Sequence, residues 1–188
     1  MLLVLAGTSG AGKGTLGARL REREPGLGWS VSWTTRAPRP GEVDGVDYHF
    51  VDRDAFEALR VAGGFLEWFE VYGDLKGTPA AYVRDRLAAG ADILLEVDVN
   101  GARAVRAARP DALLVFVAAP SREEQRRRLE GRGTETPESI ERRLQEADAE
   151  EEIAASVFDA VVVNDDVERA VDEISAILLR RRGGEEVR

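Results

Sequence analysis

The 188-residue chain has no cysteine and only one histidine. The first absence removes disulfides, thiolate metal sites and cysteine nucleophiles, so stability has to come from packing. The second leaves His49 with no residue pattern that supplies an acid–base partner, and it reads as a structural strand residue. Long apolar runs are missing too; none approaches the roughly 20 residues that a bilayer span needs. Basic charge is in deficit, with 26 Lys and Arg against 35 Asp and Glu, a formal net charge of −9. That balance argues against broad, salt-dependent binding to nucleic acid, and an acidic chain that handles phosphate must concentrate its cations where the phosphate sits. MLLVLAG carries neither a basic leader nor a small-residue cleavage site, so the expectation is a complete, cytoplasmic chain. With 44% hydrophobic and 32% charged residues and no repeat or low-complexity linker, the composition is that of one soluble globular domain.

What is present reads as α/β alternation. Leu2 to Ala6 is a continuous apolar run closed by glycine, which fits a buried parallel strand, and the pattern turns helical from Thr15 to about Glu24, ahead of Pro25. Strand-length apolar runs recur at Asp92 to Val97, Ala112 to Val117 and Ala160 to Val163, each followed by a helix-like segment. The expected core is a three-layer α/β/α sandwich on a parallel sheet, with ligands at the carboxyl ends of its strands. Two stretches interrupt it. Trp33 to Tyr82 combines loop chemistry, alternation around Val46 to Val51, a short helix from about Asp54 to Ala62 and a strand near Phe65 to Val71, which predicts a small mixed insertion. Ser121 to Leu144 predicts a helical lid: a capping box of Ser121 with Glu124, a glycine–arginine hinge, and a helix restarting with Pro137 in its first turn. The core then comprises residues 1–32, 83–120 and 145–188 of one domain, the insertion 33–82 and the lid 121–144, with RRRGGEEVR a tail expected to fray.

Gly7-Thr8-Ser9-Gly10-Ala11-Gly12-Lys13-Gly14-Thr15 has the phosphate-loop spacing at both glycines and the lysine, between a strand and a helix as that motif requires. Glycines let the backbone curl so that N–H groups point inward, while the helix N-terminus and the Lys13 ammonium add positive potential. Ser9, Gly10, Ala11, Gly12, Lys13, Gly14 and Thr15 are therefore the candidate ATP-phosphate cradle. Gly14 stands where Ser or Thr usually holds Mg²⁺, so Thr15 is the hydroxyl left for that work. The GKGT variant resembles nucleoside-monophosphate kinases. The loop alone leaves ATPase, GTPase and kinase chemistry open.

Ser32-Trp33-Thr34-Thr35-Arg36-Ala37-Pro38-Arg39-Pro40-Gly41-Glu42 and Gly45-Val46-Asp47-Tyr48-His49-Phe50-Val51 resemble the GMP-binding signature of the guanylate kinase family, and the resemblance runs from Leu3 to about Leu178 through four motifs. Two arginines three apart in a proline-stiffened loop suit a phosphate monoester, and the match implies that Arg36, Arg39 and Tyr48 bind the GMP phosphate. Guanine presents N1–H and its 2-amino group as adjacent donors, which a carboxylate accepts and adenine cannot match. The resemblance assigns that carboxylate to Glu67 and hydroxyls near guanine O6 to Ser32 and Thr78. Before Gly77-Thr78 the family usually has tyrosine where this chain has Lys76, a flexible donor to the same phosphate. Thr8 replaces a common proline, a change expected to be harmless.

Further resemblance covers metal, lid and nucleoside. Glu96-Val97-Asp98 resembles the family's acidic strand end, with Asp98 expected to hold the water shell of Mg²⁺ or to face GMP, unless it is a cap carboxylate for the next helix. Arg128, Arg132 and Arg143 align with phosphate-facing lid arginines, and with Lys13 and Arg36 they carry the implied catalytic work. Asn164, in Val163-Asn164-Asp165-Asp166, matches a position near the donor nucleoside, with a helix N-cap role for this stretch equally open. The implied activity is transfer of the ATP γ-phosphoryl group to GMP with Mg²⁺, partners being the two nucleotides and neither nucleic acid nor membrane. dGMP tolerance and the choice between monomer and homodimer stay open. A sugar-phosphate kinase would have little use for Ser32, Glu67 and Thr78, and a non-catalytic phosphopeptide scaffold would be expected to have a degraded phosphate loop.

Overall fold

In the computed structural model, residues 1–185 are described apart from Tyr72, Arg132, Thr134 and Glu135. Along the chain run β1 (Leu2–Gly7), α1 (Lys13–Arg23), β2 (Leu27–Trp29), β3 (Trp33–Thr34), β4 (His49–Phe50), α2 (Arg53–Val61), β5 (Phe65–Val71) and β6 (Asp74–Pro79). There follow α3 (Ala80–Ala88), β7 (Asp92–Glu96), α4 (Val99–Ala108), β8 (Leu113–Ala118), α5 (Arg122–Gly131), α6 (Pro137–Val157), β9 (Ala160–Val163) and α7 (Val167–Arg182).

The main sheet is parallel in the order β2-β7-β1-β8-β9. Successive side chains of a strand point to opposite faces, and β1 divides accordingly. Leu3 and Leu5 pack with Leu16 and Leu20 of α1 and with Val171, Ile174 and Leu178 of α7. Leu2, Val4 and Ala6 pack with Val83 of α3 and with Ala102 and Val105 of α4. These two cores make the expected three layers, and they set the carboxyl ends of β1, β7 and β8 side by side. At the opposite edge Asp92, the first residue of β7, accepts from the Met1 ammonium and from Arg182 Nε, both at 2.8 Å.

A second sheet, β4-β3-β6-β5, belongs to the mixed insertion. Its packing is aromatic: Phe56 of α2 stacks on Phe65 at 4.4 Å between centroids. Gly77 makes that contact possible, because a Cβ there would lie 2.8 Å from Phe65 Cδ1 and 3.1 Å from Phe56 Cζ. His49 packs edge-on against Trp33, as a structural strand residue would.

Several boundaries differ from expectation for local reasons. Alternation at Val46–Val51 yields only the two-residue β4, since Asp47 accepts from the Val43 N–H and Asp44 from the Phe50 N–H, folding residues 43–48 into turns. The capping box is half made: Ser121 Oγ accepts from the Glu124 N–H, but the Glu124 carboxylate turns to Arg127 and Arg128. Helix α6 runs unbroken past Leu144, and α7 stays helical through Arg182, which also bonds Glu24, so the first three residues of the tail expected to fray are helical.

Candidate active site

A cavity of about 890 Å³ opens between the two sheets at the carboxyl edge of the main one. One wall is the phosphate loop: Ser9, Gly10, Gly12, Lys13 and Gly14. The backbone curls there because Gly10 and Gly12 take φ of +85° and +90°, a region costly to residues with a Cβ. Lys13 Nζ donates to the carbonyls of Gly7 at 2.6 Å and Thr8 at 3.1 Å, so its stem crosses the loop mouth. Loss of surrounding water lowers its pKa, while Glu96 on the cavity wall pulls the other way.

The facing wall carries Arg36, Arg39, Tyr48 and Lys76. Arg36 is held in a two-pronged pair with Glu42, at 3.0 and 2.8 Å, and Glu42 also accepts from the Arg39 N–H at 2.6 Å. Burial would raise the Glu42 pKa, but these bonds outweigh it and hold the carboxyl below its usual range. The Tyr48 ring lies 5.4 Å from the Arg36 guanidinium and 4.5 Å from Lys76 Nζ. The Lys76 ammonium makes no hydrogen bond or ion pair among the described residues, and Asp98 and Glu67 act on it only at longer range. In a chain of net charge −9, a lysine ammonium on a cavity wall with no carboxylate bonded to it among the described residues is suited to an anion from outside.

Behind this wall, Glu67 is only 4% exposed, Ser32 9% and Thr78 1%. Thr78 Oγ1 donates to Glu67 Oε1 at 2.5 Å, and Glu67 Oε2 has no hydrogen-bond partner among the described residues. Burial pushes the Glu67 pKa up to about 7, with Asp98 adding to the effect and the Thr78 bond opposing it. A buried carboxylate with one oxygen free is costly to the fold unless a ligand with donors fills that position.

Glu96 and Asp98 line the floor. Asp98 is the N-cap of α4, its Oδ1 accepting from the Gly101 N–H at 2.7 Å, so the cap reading of this residue holds while its carboxylate still faces the cavity. Burial raises its pKa against that bond and against Lys76 and Lys13. Glu96 occupies the space over Gly14: a Cβ at Gly14 would lie 3.6 and 3.7 Å from its two oxygens. Thr15 is exposed on α1 and does not line the cavity. Among the described residues no three carboxylates or histidines converge as a metal cage. Two floor carboxylates beside a phosphate loop nevertheless suit an ion that keeps most of its waters and takes phosphate oxygens, as Mg²⁺ does.

The lid helices close the remaining side. Arg143 of α6 reaches Ser9 Oγ at 3.1 Å. Arg128 of α5 stands behind the phosphate loop instead of in the cavity, donating to the carbonyls of Ala11 at 3.2 Å and Asn164 at 2.8 Å. Asn164 is buried and donates from Nδ2 to the Ala11 carbonyl at 2.8 Å; the helix cap expected in this stretch is made by Asp166, the N-cap of α7. Arg132 lies outside the described residues. Sequence reasoning passed over Glu150, which lines the cavity seven residues after Arg143, two helical turns along the same face. Its pKa is raised to about 7 by burial, with Lys13 opposing.

No helix among the described residues is long and apolar enough to cross a membrane. The family model for guanylate kinase matches residues 1–181. A guanylate kinase of Rubrobacter xylanophilus is 53% identical over 180 residues, covering 95% of this chain and 93% of that protein. That of Rhodococcus jostii is 54% identical over 182 residues, covering 96% and 87%. Among solved structures, the guanylate kinase of Anaplasma phagocytophilum is similar at a TM-score of 0.80 and 34% identity, over 96% of this chain and 85% of that one. With a phosphate loop and a second cation cluster facing one another across one cavity, and with these matches running through nearly every residue, the chain belongs to the guanylate kinase family, the ATP:GMP phosphotransferases.

Proposed function

We propose that this chain binds ATP along the phosphate loop and GMP against the second sheet, and moves the γ-phosphoryl group between them to give ADP and GDP. The observation that carries the acceptor assignment is the Oε2 of Glu67, buried and without a hydrogen-bond partner among the described residues, behind the wall that holds Arg36, Arg39, Tyr48 and Lys76. In this reading Arg36, Arg39, Tyr48 and Lys76 take the GMP phosphate, and Glu67, with Ser32 and Thr78, reads the guanine edge. dGMP is an acceptor to be tested, since none of these groups addresses the ribose.

The nucleophile is a phosphate oxygen of GMP, mostly deprotonated near neutral pH, so no general base is needed. Catalysis reduces to holding two polyanions in line and neutralising charge on the transferring oxygens. Lys13 and the inward N–H groups of the loop serve the donor phosphates. Arg143, docked on Ser9, brings lid charge to the same point, and Arg132 is assigned a matching role. Bound Mg²⁺ would supply further charge neutralisation at the donor phosphates. Glu96 and Asp98 would hold it from the cavity floor, with the Thr15 hydroxyl, exposed on α1, as the further candidate holder. Arg128 and Asn164 support the loop from behind, beside the donor nucleoside.

A coupled assay with ATP, Mg²⁺ and a panel of GMP, AMP, CMP, UMP and dTMP tests the reading. Turnover dependent on GMP is expected; equal rates across the panel would remove Glu67 from its role.

A further inference from the structure

The loop that cradles phosphate is itself held from outside the cavity, by groups on α5. Gln125 is 1% exposed and spends its whole amide on this: Nε2 donates to Thr8 Oγ1 at 2.9 Å and to the Ser9 carbonyl at 2.7 Å, while Oε1 accepts from Arg122 at 2.5 Å. The backing is tight. A Cβ on Gly10 would meet Gln125 Cγ and its carbonyl at 3.1 Å.

In a trans peptide the C=O and the following N–H point in opposite directions. Drawing the Ser9 carbonyl toward Gln125 therefore turns the Gly10 N–H away from α5, and Gly10 lines the cavity. The same geometry repeats two residues on. Arg128 and Asn164 hold the Ala11 carbonyl, which turns the Gly12 N–H away from them. Neither glycine N–H donates a hydrogen bond among the described residues. Thr8 is wholly buried and gives the Gln125 amide its second acceptor.

We propose that Gln125 is a positioning residue for the donor nucleotide: acting through the Ser9–Gly10 peptide, it presets a phosphate-binding N–H, with Thr8 as its anchor. The proposal rests on the reading of the glycine loop as the ATP-phosphate site. It makes donor binding, and not acceptor binding, depend on a side chain that touches no substrate. The separation is sharp in this chain because Gln125 contacts the loop while the acceptor wall is built from the other sheet.

The test is calorimetric titration of the full chain with ADP and, separately, with GMP. Gln125→Glu has the same shape but places an acceptor against the Ser9 carbonyl; Gln125→Met keeps the length and removes the donor. Each is expected to weaken ADP binding at least tenfold while GMP affinity stays within twofold, and retained GMP binding reports an intact fold. Thr8→Val is expected to lie between these and the parent. If Gln125→Glu loses both ligands, the methionine variant decides. ADP affinity within twofold of the parent in Gln125→Met, or equal loss of ADP and GMP, overturns the proposal. Failure of the parent chain to bind ADP would instead overturn the reading of the loop.

Discussion

Replacing Glu67 by glutamine should raise stability and lower activity together, a pairing that few buried substitutions produce. Glu67 is 4% exposed, and its pKa is pushed up to about 7 from an ordinary 4.5, first by burial. A carboxyl that binds its proton more tightly folded than unfolded favours the folded state at low pH. Stability then falls as pH rises from about 4.5 through about 7, and the full penalty applies above that. At 1.36 kcal/mol per pH unit the penalty is about 3 kcal/mol. Glutamine keeps an acceptor for Thr78 without the charge. At pH 8 the variant should therefore gain up to ~3 kcal/mol, about 6–12 °C in melting temperature for a chain of this size, and the gain should shrink to below about 1 kcal/mol near pH 5. The acceptor side loses a charge-assisted hydrogen bond worth about 1.5–3 kcal/mol, or roughly 10- to 150-fold in kcat/KM for GMP. KM for ATP should stay put. Thermal melts at pH 5 and 8, with the coupled assay at pH 8, measure both. A variant that melts below the parent at pH 8, or that keeps GMP kcat/KM within threefold, would refute the argument.

Glu96→Gln should raise the Mg²⁺ concentration needed for tight ATP binding several-fold, with metal-free ADP binding unchanged; calorimetry across a Mg²⁺ series shows it, and an unchanged Mg²⁺ dependence would return the metal to other groups. Lys76→Met should weaken GMP about tenfold and guanosine hardly at all, with a smaller contrast at high salt, because the lysine addresses only the phosphate charge. Equal effects on GMP and guanosine would make Lys76 a structural residue.

The three-layer core and the phosphate loop were legible because local pattern determines both. Uninterrupted apolar runs such as Leu2–Ala6 are buried on both faces, and the glycine–lysine spacing fixes its own backbone path. Strand β6 and helix α3 escaped notice because Asp74–Pro79 contains Gly77 and Pro79, whose places depend on Phe65 and Phe56 and not on any alternation. Side-chain direction was the harder part. Family resemblance singled out Arg128 as a phosphate-facing lid residue, but only the fold reveals that the Ala11 and Asn164 carbonyls lie within its reach. The Thr8–Gln125 bond joins residues 117 apart, so Thr8 looked inert. Thr15 drew attention as the remaining hydroxyl, whereas the group over Gly14 is Glu96, delivered by a different strand.

Strand β7 is five residues long with an acid at each end. Asp92 fastens Met1 and Arg182 at one edge of the sheet, and Glu96 looks into the cavity at the other. Heat resistance and substrate chemistry are thus addressable at opposite ends of one short segment. Selection acting on the first can rework the Asp92 end without disturbing the second.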